Sequence, residues 1–250
     1  MKKIFATALF GLLAFYTFSQ NLETSLIDIH SGGDGNPQKF TRHQDGFFFQ
    51  GEVGEGRELF YSDGTQSGTY MVKDINPDFH SYPSHITSVG DIIYFSADDG
   101  VHGAELWKSD GTESGTVLVK DIWPNNDDDF FGPQNLINFN GVLFFSANNG
   151  VNGFELWKSD GTESGTVLVK DINTGSGGST PSDFFVFENS LFFSAFNETN
   201  GFELWKSDGT ESGTNLLKDI NPGIGAGPGA GNKFLIMGTH FFFFAETPAT

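Results

Sequence analysis

The 250-residue sequence contains no cysteine. That absence excludes disulfides, thiolate metal sites and an acylated lipoprotein N-terminus. Basic residues are scarce as well, with 13 Lys and Arg against 32 Asp and Glu and a formal net charge of -19. Nucleic acid and anionic membranes both require a basic face, so neither is an expected partner. Charged residues make up only 18% of the chain, below the roughly 25% of ordinary globular domains. With 29 phenylalanines, this is the composition of an aromatic-cored fold, not of a disordered acidic tail. Helical periodicity is missing too, because glycine, β-branched and aromatic residues interrupt any 3.6-residue apolar spacing.

Residues 1–19 read as a signal peptide. Lys2 and Lys3 precede an apolar run, Ile4 to Phe18, too short for a stable membrane anchor. Small residues at Thr17 and Ser19 suit a signal peptidase and leave Gln20 as the new N-terminus. Without Lys2 and Lys3, 11 basic residues face 32 acidic ones, a balance of -21. No later segment is apolar enough to cross a membrane, so the expected location is secreted or cell surface.

What the chain has in abundance is repetition. Glu105-Leu106-Trp107-Lys108-Ser109-Asp110-Gly111-Thr112-Glu113-Ser114-Gly115-Thr116 returns unchanged at Glu155 to Thr166 and at Glu203 to Thr214. A drifted copy runs from Glu58 to Thr69, and successive copies lie 47, 50 and 48 residues apart. Each copy leads into a second apolar run that closes on Lys-Asp, at Asp74, Asp121, Asp171 and Asp219. The step from the aromatic residue (Phe60, Trp107, Trp157, Trp205) to that Asp is 14 residues every time. Two short apolar runs around Asp-Gly-Thr-x-Ser-Gly-Thr predict an antiparallel hairpin. Two further runs precede it, joined by tight-turn pairs such as Gly90-Asp91 and Asn140-Gly141.

Four short strands per repeat of about 48 residues match one β-propeller blade. The expected fold is therefore all-β, a propeller-like array occupying 20–250. Four full repeats fall at about 38–75, 84–122, 134–172 and 182–220, with partial units at both ends. Ser25 to Ile29 echoes a fourth strand, while Lys233 to Met237 and His240 to Ala245 echo a first and a second. The chain stops inside that last unit, which predicts a truncated or partial protein. A β-solenoid, which needs shorter coils, ranks behind the propeller.

The Glu-Leu-Trp-Lys-Ser-Asp-Gly-Thr core resembles the ELWxxDGT repeat of secreted bacterial proteins, sometimes described as hyalin-like. The match runs from about residue 24 to the C-terminus. The resemblance implies a large exported protein, often with a C-terminal sorting domain for type IX secretion and surface attachment. It attaches no general biochemical activity to the repeat.

Several recurring residues invite a chemical reading. Trp107, Trp157 and Trp205 have the character of sugar-stacking platforms, but their fixed place inside a strand favours packing between sheets. Asp63, Asp110, Asp160 and Asp208 are read as turn-closing residues ahead of glycine. Glu105 and Lys120 are expected to pair across the hairpin. The calcium candidates are oxygen-rich, glycine-kinked loops: Asp98 and Asp99, Asn148 and Asn149, and the cluster Asp127, Asp128 and Asp129. The competing reading of these loops is a solvated acidic surface.

The six histidines fall at non-equivalent positions, and no nucleophile elbow, phosphate loop or zinc motif occurs. The resulting expectation is an exported, non-enzymatic surface, adhesion or ligand-binding module whose partner is an extracellular glycan or surface protein. The rival expectations are a secreted carbohydrate-active enzyme or carbohydrate-binding protein, and a purely structural spacer.

Overall fold

The computed structural model describes residues 27–29, 34–54, 56–124, 132–223 and 234–243. The first sheet comprises β1 (Gln38–His43), β2 (Gly46–Val53), β3 (Gly56–Ser62) and β4 (Thr69–Lys73). The second holds β5 (Ser84–Val89), β6 (Ile92–Asp98), β7 (Ala104–Ser109) and β8 (Val117–Lys120). The third holds β9 (Gln134–Phe139), β10 (Val142–Asn148), β11 (Phe154–Ser159) and β12 (Val167–Lys170). The fourth holds β13 (Ser182–Phe187), β14 (Ser190–Asn197), β15 (Gly201–Ser207) and β16 (Asn215–Lys218). A short pair follows, β17 (Leu235–Met237) and β18 (His240–Phe242). Strands within each sheet lie in sequence order, and every pair is antiparallel. This is the all-β, propeller-like array expected from the repeat. Among the described residues no helix is long and apolar enough to cross a membrane.

The Asp-Gly-Thr turn holds itself together. Asp110 Oδ1 accepts the Thr112 amide at 2.9 Å and its hydroxyl at 2.7 Å, and Thr112 Oγ1 accepts the Gly115 amide at 3.0 Å. Ser109 and Thr116 close the base through their hydroxyls at 2.7 Å. The hydroxyl and amide of the Thr hold the Asp110, Asp160 and Asp208 carboxyls below the usual range. Gly111 adopts φ 89°, a conformation that disfavours a side chain, and a Cβ at Gly115 would collide with the Asp110 carboxylate. The glycines are thus dictated by the turn.

The core lies between blades. Trp157 pairs with Phe145 on one side and Leu168 on the other, and its ring is 7% exposed. It packs with Leu106, Val119 and Ile122 of the preceding blade. Trp107 does the same against Leu59, Val72 and Ile75, and Trp205 against Leu156, Val169 and Ile172. Both faces of the middle strands are therefore covered, which explains why apolar and polar residues alternate poorly along them.

Lysines latch the blades together. Lys73, Lys120 and Lys170 donate to the carbonyl oxygens of Thr116, Thr166 and Thr214 in the next blade, at 2.9, 3.1 and 2.7 Å. Lys108 and Lys158 donate to Gly161 O and Gly209 O at 2.8 and 2.9 Å. The first blade has Tyr61 where the others have that lysine, and there the Tyr70 hydroxyl reaches Gly111 O at 3.3 Å.

The Glu105–Lys120 pair expected from the sequence does not form. Lys120 lies opposite Leu106 in the ladder, so Glu105 is out of step with it, and Lys120 turns to the next blade. Glu105 turns inward instead, accepting the amides of Ile122 at 2.9 Å and Trp123 at 3.0 Å. Glu58, Glu155 and Glu203 occupy the same position and accept amides of Ile75, Ile172 and Asn221. Burial pushes the Glu58 and Glu105 carboxyls up to about 7, against the opposing pull of these amides.

Candidate functional site

The innermost strands β1, β5, β9 and β13 lie side by side across the array. Each carries a β-bulge at the same place. Gln38 pairs with Gln50 and Thr41 with Phe48, so Lys39 and Phe40 together face Phe49. The same break places His85 and Ile86 opposite Phe95, Asn135 and Leu136 opposite Phe145, and Asp183 and Phe184 opposite Phe193.

The first residue of every bulge has a left-handed backbone: Lys39 at φ 55°, His85 at 53°, Asn135 at 55° and Asp183 at 55°. Such a conformation costs of order 1 kcal/mol or more per non-glycine residue and persists only where surrounding packing enforces it. The residue opposite each bulge is a buried phenylalanine: Phe49, Phe95, Phe145 or Phe193. The second bulge residues Ile86, Leu136 and Phe184 pack into the core clusters between blades. The first residue of each bulge, polar in all four, takes no part in those clusters. His, Asn and Asp tolerate this conformation best, so Lys39 is the most constrained of the four.

The four polar side chains form one band along the innermost strands. His85 Nδ1 accepts the Asn135 amide at 3.2 Å, which places the proton of the neutral ring on Nε2. Crowding by the surrounding strands, with Lys39 nearby, pulls the His85 imidazole below its ordinary value. Neutral His85 is therefore the form at physiological pH. Lys39 Nζ donates to Pro83 O at 3.4 Å and Asn135 Nδ2 to Pro181 O at 3.2 Å. Thr41 Oγ1 donates to Ile86 O at 2.7 Å and Thr87 Oγ1 to Leu136 O at 3.2 Å. These bonds set the spacing of strands that share no ladder. Lys39, Phe40, Thr41, Ser84, His85 and Ile86 line an open cleft of about 380 Å³. A cation at one end and a carboxylate at the other give the band a charge gradient.

The sequence reading missed this band, although a signal was present. Pro37, Pro83, Pro133 and Pro181 each stand two residues before the bulge residue. The residue that then varies as Lys, His, Asn and Asp is the one the backbone singles out.

The calcium candidates lie elsewhere, in the loops between the second and third strands of the blades. Asp98 Oδ1 accepts the Gly100 amide at 2.7 Å. Asp99 Oδ1 accepts the amides of Val101 and His102, and Asp99 Oδ2 meets His102 Nδ1 at 2.8 Å. Asn148 Oδ1 accepts the Gly150 amide, and Asn149 Oδ1 those of Val151 and Asn152. Asn197 repeats the arrangement with Thr199 and Asn200. These oxygens are turned onto their own loop backbone. Among the described residues no group of three or more His, Asp or Glu is assembled to hold a metal ion. Asp127, Asp128 and Asp129 lie outside the described residues.

No family model matches the chain, and no curated protein matches it. Solved structures do share its architecture. Puromycin hydrolase aligns with a TM-score of 0.55 and 16% identity over 87% of this chain and 35% of the hydrolase. A serine-to-alanine mutant of puromycin hydrolase complexed with PGG gives 0.55 and 15%, over 89% of this chain and 36% of that one. The acylaminoacyl peptidase of Pyrococcus horikoshii aligns at 0.47 and 15%, over 72% and 26%. At these identities the likeness is one of fold, that of a β-propeller. This chain spans about a third of the length of the puromycin hydrolase structures.

The finding corrects the expectation of a non-enzymatic surface, adhesion or ligand-binding module. The two solved structures above that align with a TM-score over 0.5 are both of puromycin hydrolase.

Proposed function

We propose that this chain is the propeller part of an exported hydrolase acting on puromycin-like compounds. In this reading its own residues admit and orient the substrate, and they do not break the bond. One observation carries the proposal: the puromycin hydrolase fold aligns over nearly nine-tenths of this chain, and the chain bears a polar band on its innermost strands. Neutral His85 and Asn135 offer donors and acceptors, Lys39 and Asp183 supply opposite charges, and Phe40 gives the cleft an apolar wall. Puromycin combines an aminonucleoside, an aromatic ring and an ammonium group, which such a cleft suits in kind. Export rests on Lys2, Lys3 and the apolar run Ile4 to Phe18.

The test pairs binding with turnover. Puromycin titrated into the protein should bind saturably, and His85→Gly should weaken binding about tenfold without loss of stability. Glycine relieves the left-handed strain, so the variant should melt no lower than the parent. The complete reading-frame product should hydrolyse puromycin. Absence of both binding and turnover overturns the proposal.

A further inference from the structure

Basic residues are few in this chain, 13 against 32 acidic ones. Lys39 nevertheless stands beside His85 and close enough to Arg57 for the charges to act on one another. Arg57 has its counter-ion, since its Nε meets the Glu52 carboxylate at 3.3 Å, and the guanidinium carbon lies 5.9 Å from the centre of the Tyr82 ring. Lys39 enters no ion pair among the described residues, and its ammonium makes a single long bond, 3.4 Å to Pro83 O. Its other hydrogens remain for a ligand. Burial, and after it Arg57, pull the Lys39 ammonium below its usual value, an effect that an adjoining anion reverses.

His85 supplies a matching donor. Its Nδ1 accepts the Asn135 amide, so the ring hydrogen sits on Nε2, where no described group accepts it. A neutral imidazole adds a hydrogen without a charge, so the uncompensated charge at the cleft is that of Lys39 alone. That suits a monoanion better than a phosphate dianion. Beside the two donors stands an apolar wall. Phe40 is 59% exposed and lies flat against the buried Phe49, with ring centres 5.1 Å apart. One face of its ring is thus fixed by stacking while the other is left to the cleft, whose lining Ile86 completes from β5. The volume, about 380 Å³, is that of a small-molecule site.

We propose that Lys39 Nζ and His85 Nε2 together hold the carboxylate of an aromatic acid, whose ring stacks on the exposed face of Phe40. The role of such a site rests on the hydrolase reading, although the binding itself does not. When an amide is hydrolysed, the oxygen of water bonds to the acyl carbon as the C–N bond breaks. The nitrogen leaves as an amine with one hydrogen of the water, and the acyl part becomes a carboxylic acid that ionises at neutral pH. The uncut amide presents no charge at that place, so Lys39 distinguishes product from substrate. The acid released then competes for the cleft that admits the next substrate, and turnover is restrained by its own product.

The probes are N-acetylphenylalanine and its neutral amide, titrated calorimetrically into the full chain at neutral pH. The acid should bind saturably and the amide about tenfold more weakly, because the charge-assisted bonds are lost. Lys39→Met, which keeps the aliphatic stem, should bring the acid down to the affinity of the amide. Lys39→Asn should do the same while melting no lower than the parent, since asparagine accepts the left-handed backbone of this position. Phe40→Ala should weaken both probes together. The site is refuted if the acid does not bind, if the amide binds equally well, or if these substitutions leave the affinities unchanged. Inorganic phosphate that displaces the acid at equal concentration also refutes it, by making the cleft a general anion site. Puromycin is titrated alongside. Its failure alone sinks the hydrolase reading and the product role with it, leaving the carboxylate site standing, whereas failure of the acid alone sinks the carboxylate site.

Discussion

The Lys158 ammonium donates to the main-chain oxygen of Gly209 at 2.9 Å, tying the third blade to the turn of the fourth. The lysine is half-buried, whereas Lys206, its equivalent one blade later, is exposed and meets no such acceptor among the described residues. Lys158→Met keeps most of the aliphatic stem and removes the donor. It should cost about 1–2 kcal/mol, a charge-assisted bond discounted for partial exposure. Lys206→Met should cost close to nothing. Urea midpoints for the two variants decide the matter, and equal losses would refute the latch.

Trp157→Ala should destabilise by about 3–5 kcal/mol, the range for a large buried aromatic. The ring seals the interface to the second blade, so the loss should appear as earlier cooperative unfolding in denaturant. Normal stability with selective loss of a ligand would instead make the ring a binding platform.

Stability should fall as pH rises through neutrality. The Glu58 and Glu105 carboxyls are raised to about 7 by burial, and Glu155 is raised for the same reason. In the unfolded chain glutamates titrate near 4.3. Between those values the folded state binds more protons, so each group stabilises fully below about 4.3 and loses that contribution as pH passes 7. The turn aspartates act in the opposite sense, because their lowered carboxyls favour the fold only above the ordinary aspartate range. The melting temperature should therefore peak near pH 5 and decline by pH 8, with on the order of 3 kcal/mol at stake for each of Glu58 and Glu105. Glu105→Gln should flatten the decline, and an unchanged slope in that variant would sink this account.

Chelation should leave the melting curve of the protein where it is. Asp99 and Asn149 spend their side-chain oxygens on the amides of Val101, His102, Val151 and Asn152. A saturable rise in melting temperature with added Ca²⁺ would show that a cation competes successfully for those oxygens.

The architecture was legible because its causes are local. Asp110, Thr112 and Gly115 satisfy one another within six residues, so a recurring Asp-Gly-Thr is a hairpin wherever it falls. Trp157 was legible as core from its constant place inside a strand. The partner of Glu105 was not, since a one-residue offset in the β7–β8 ladder turns Lys120 to the other side, and spacing alone does not reveal a ladder's phase. The polar band escaped for a related reason. A bulge inserts one residue without changing composition, and only the backbone of Lys39, His85, Asn135 and Asp183 marks the position. The comparison with hydrolases had no counterpart in any motif of the sequence.

A latch that ends on a main-chain oxygen makes no demand on the identity of the residue that bears it. Gly111, Gly161 and Gly209 are met by a tyrosine once and by lysines twice, with the same outcome. Units joined this way are interchangeable parts. A gene that duplicates, deletes or reshuffles one of them needs no compensating change next door, because every insertion brings its own acceptor and finds its neighbour's donor waiting. The joint between blades thereby lets such a chain change length in whole units of about 48 residues while the side chains along its innermost strands diversify one by one.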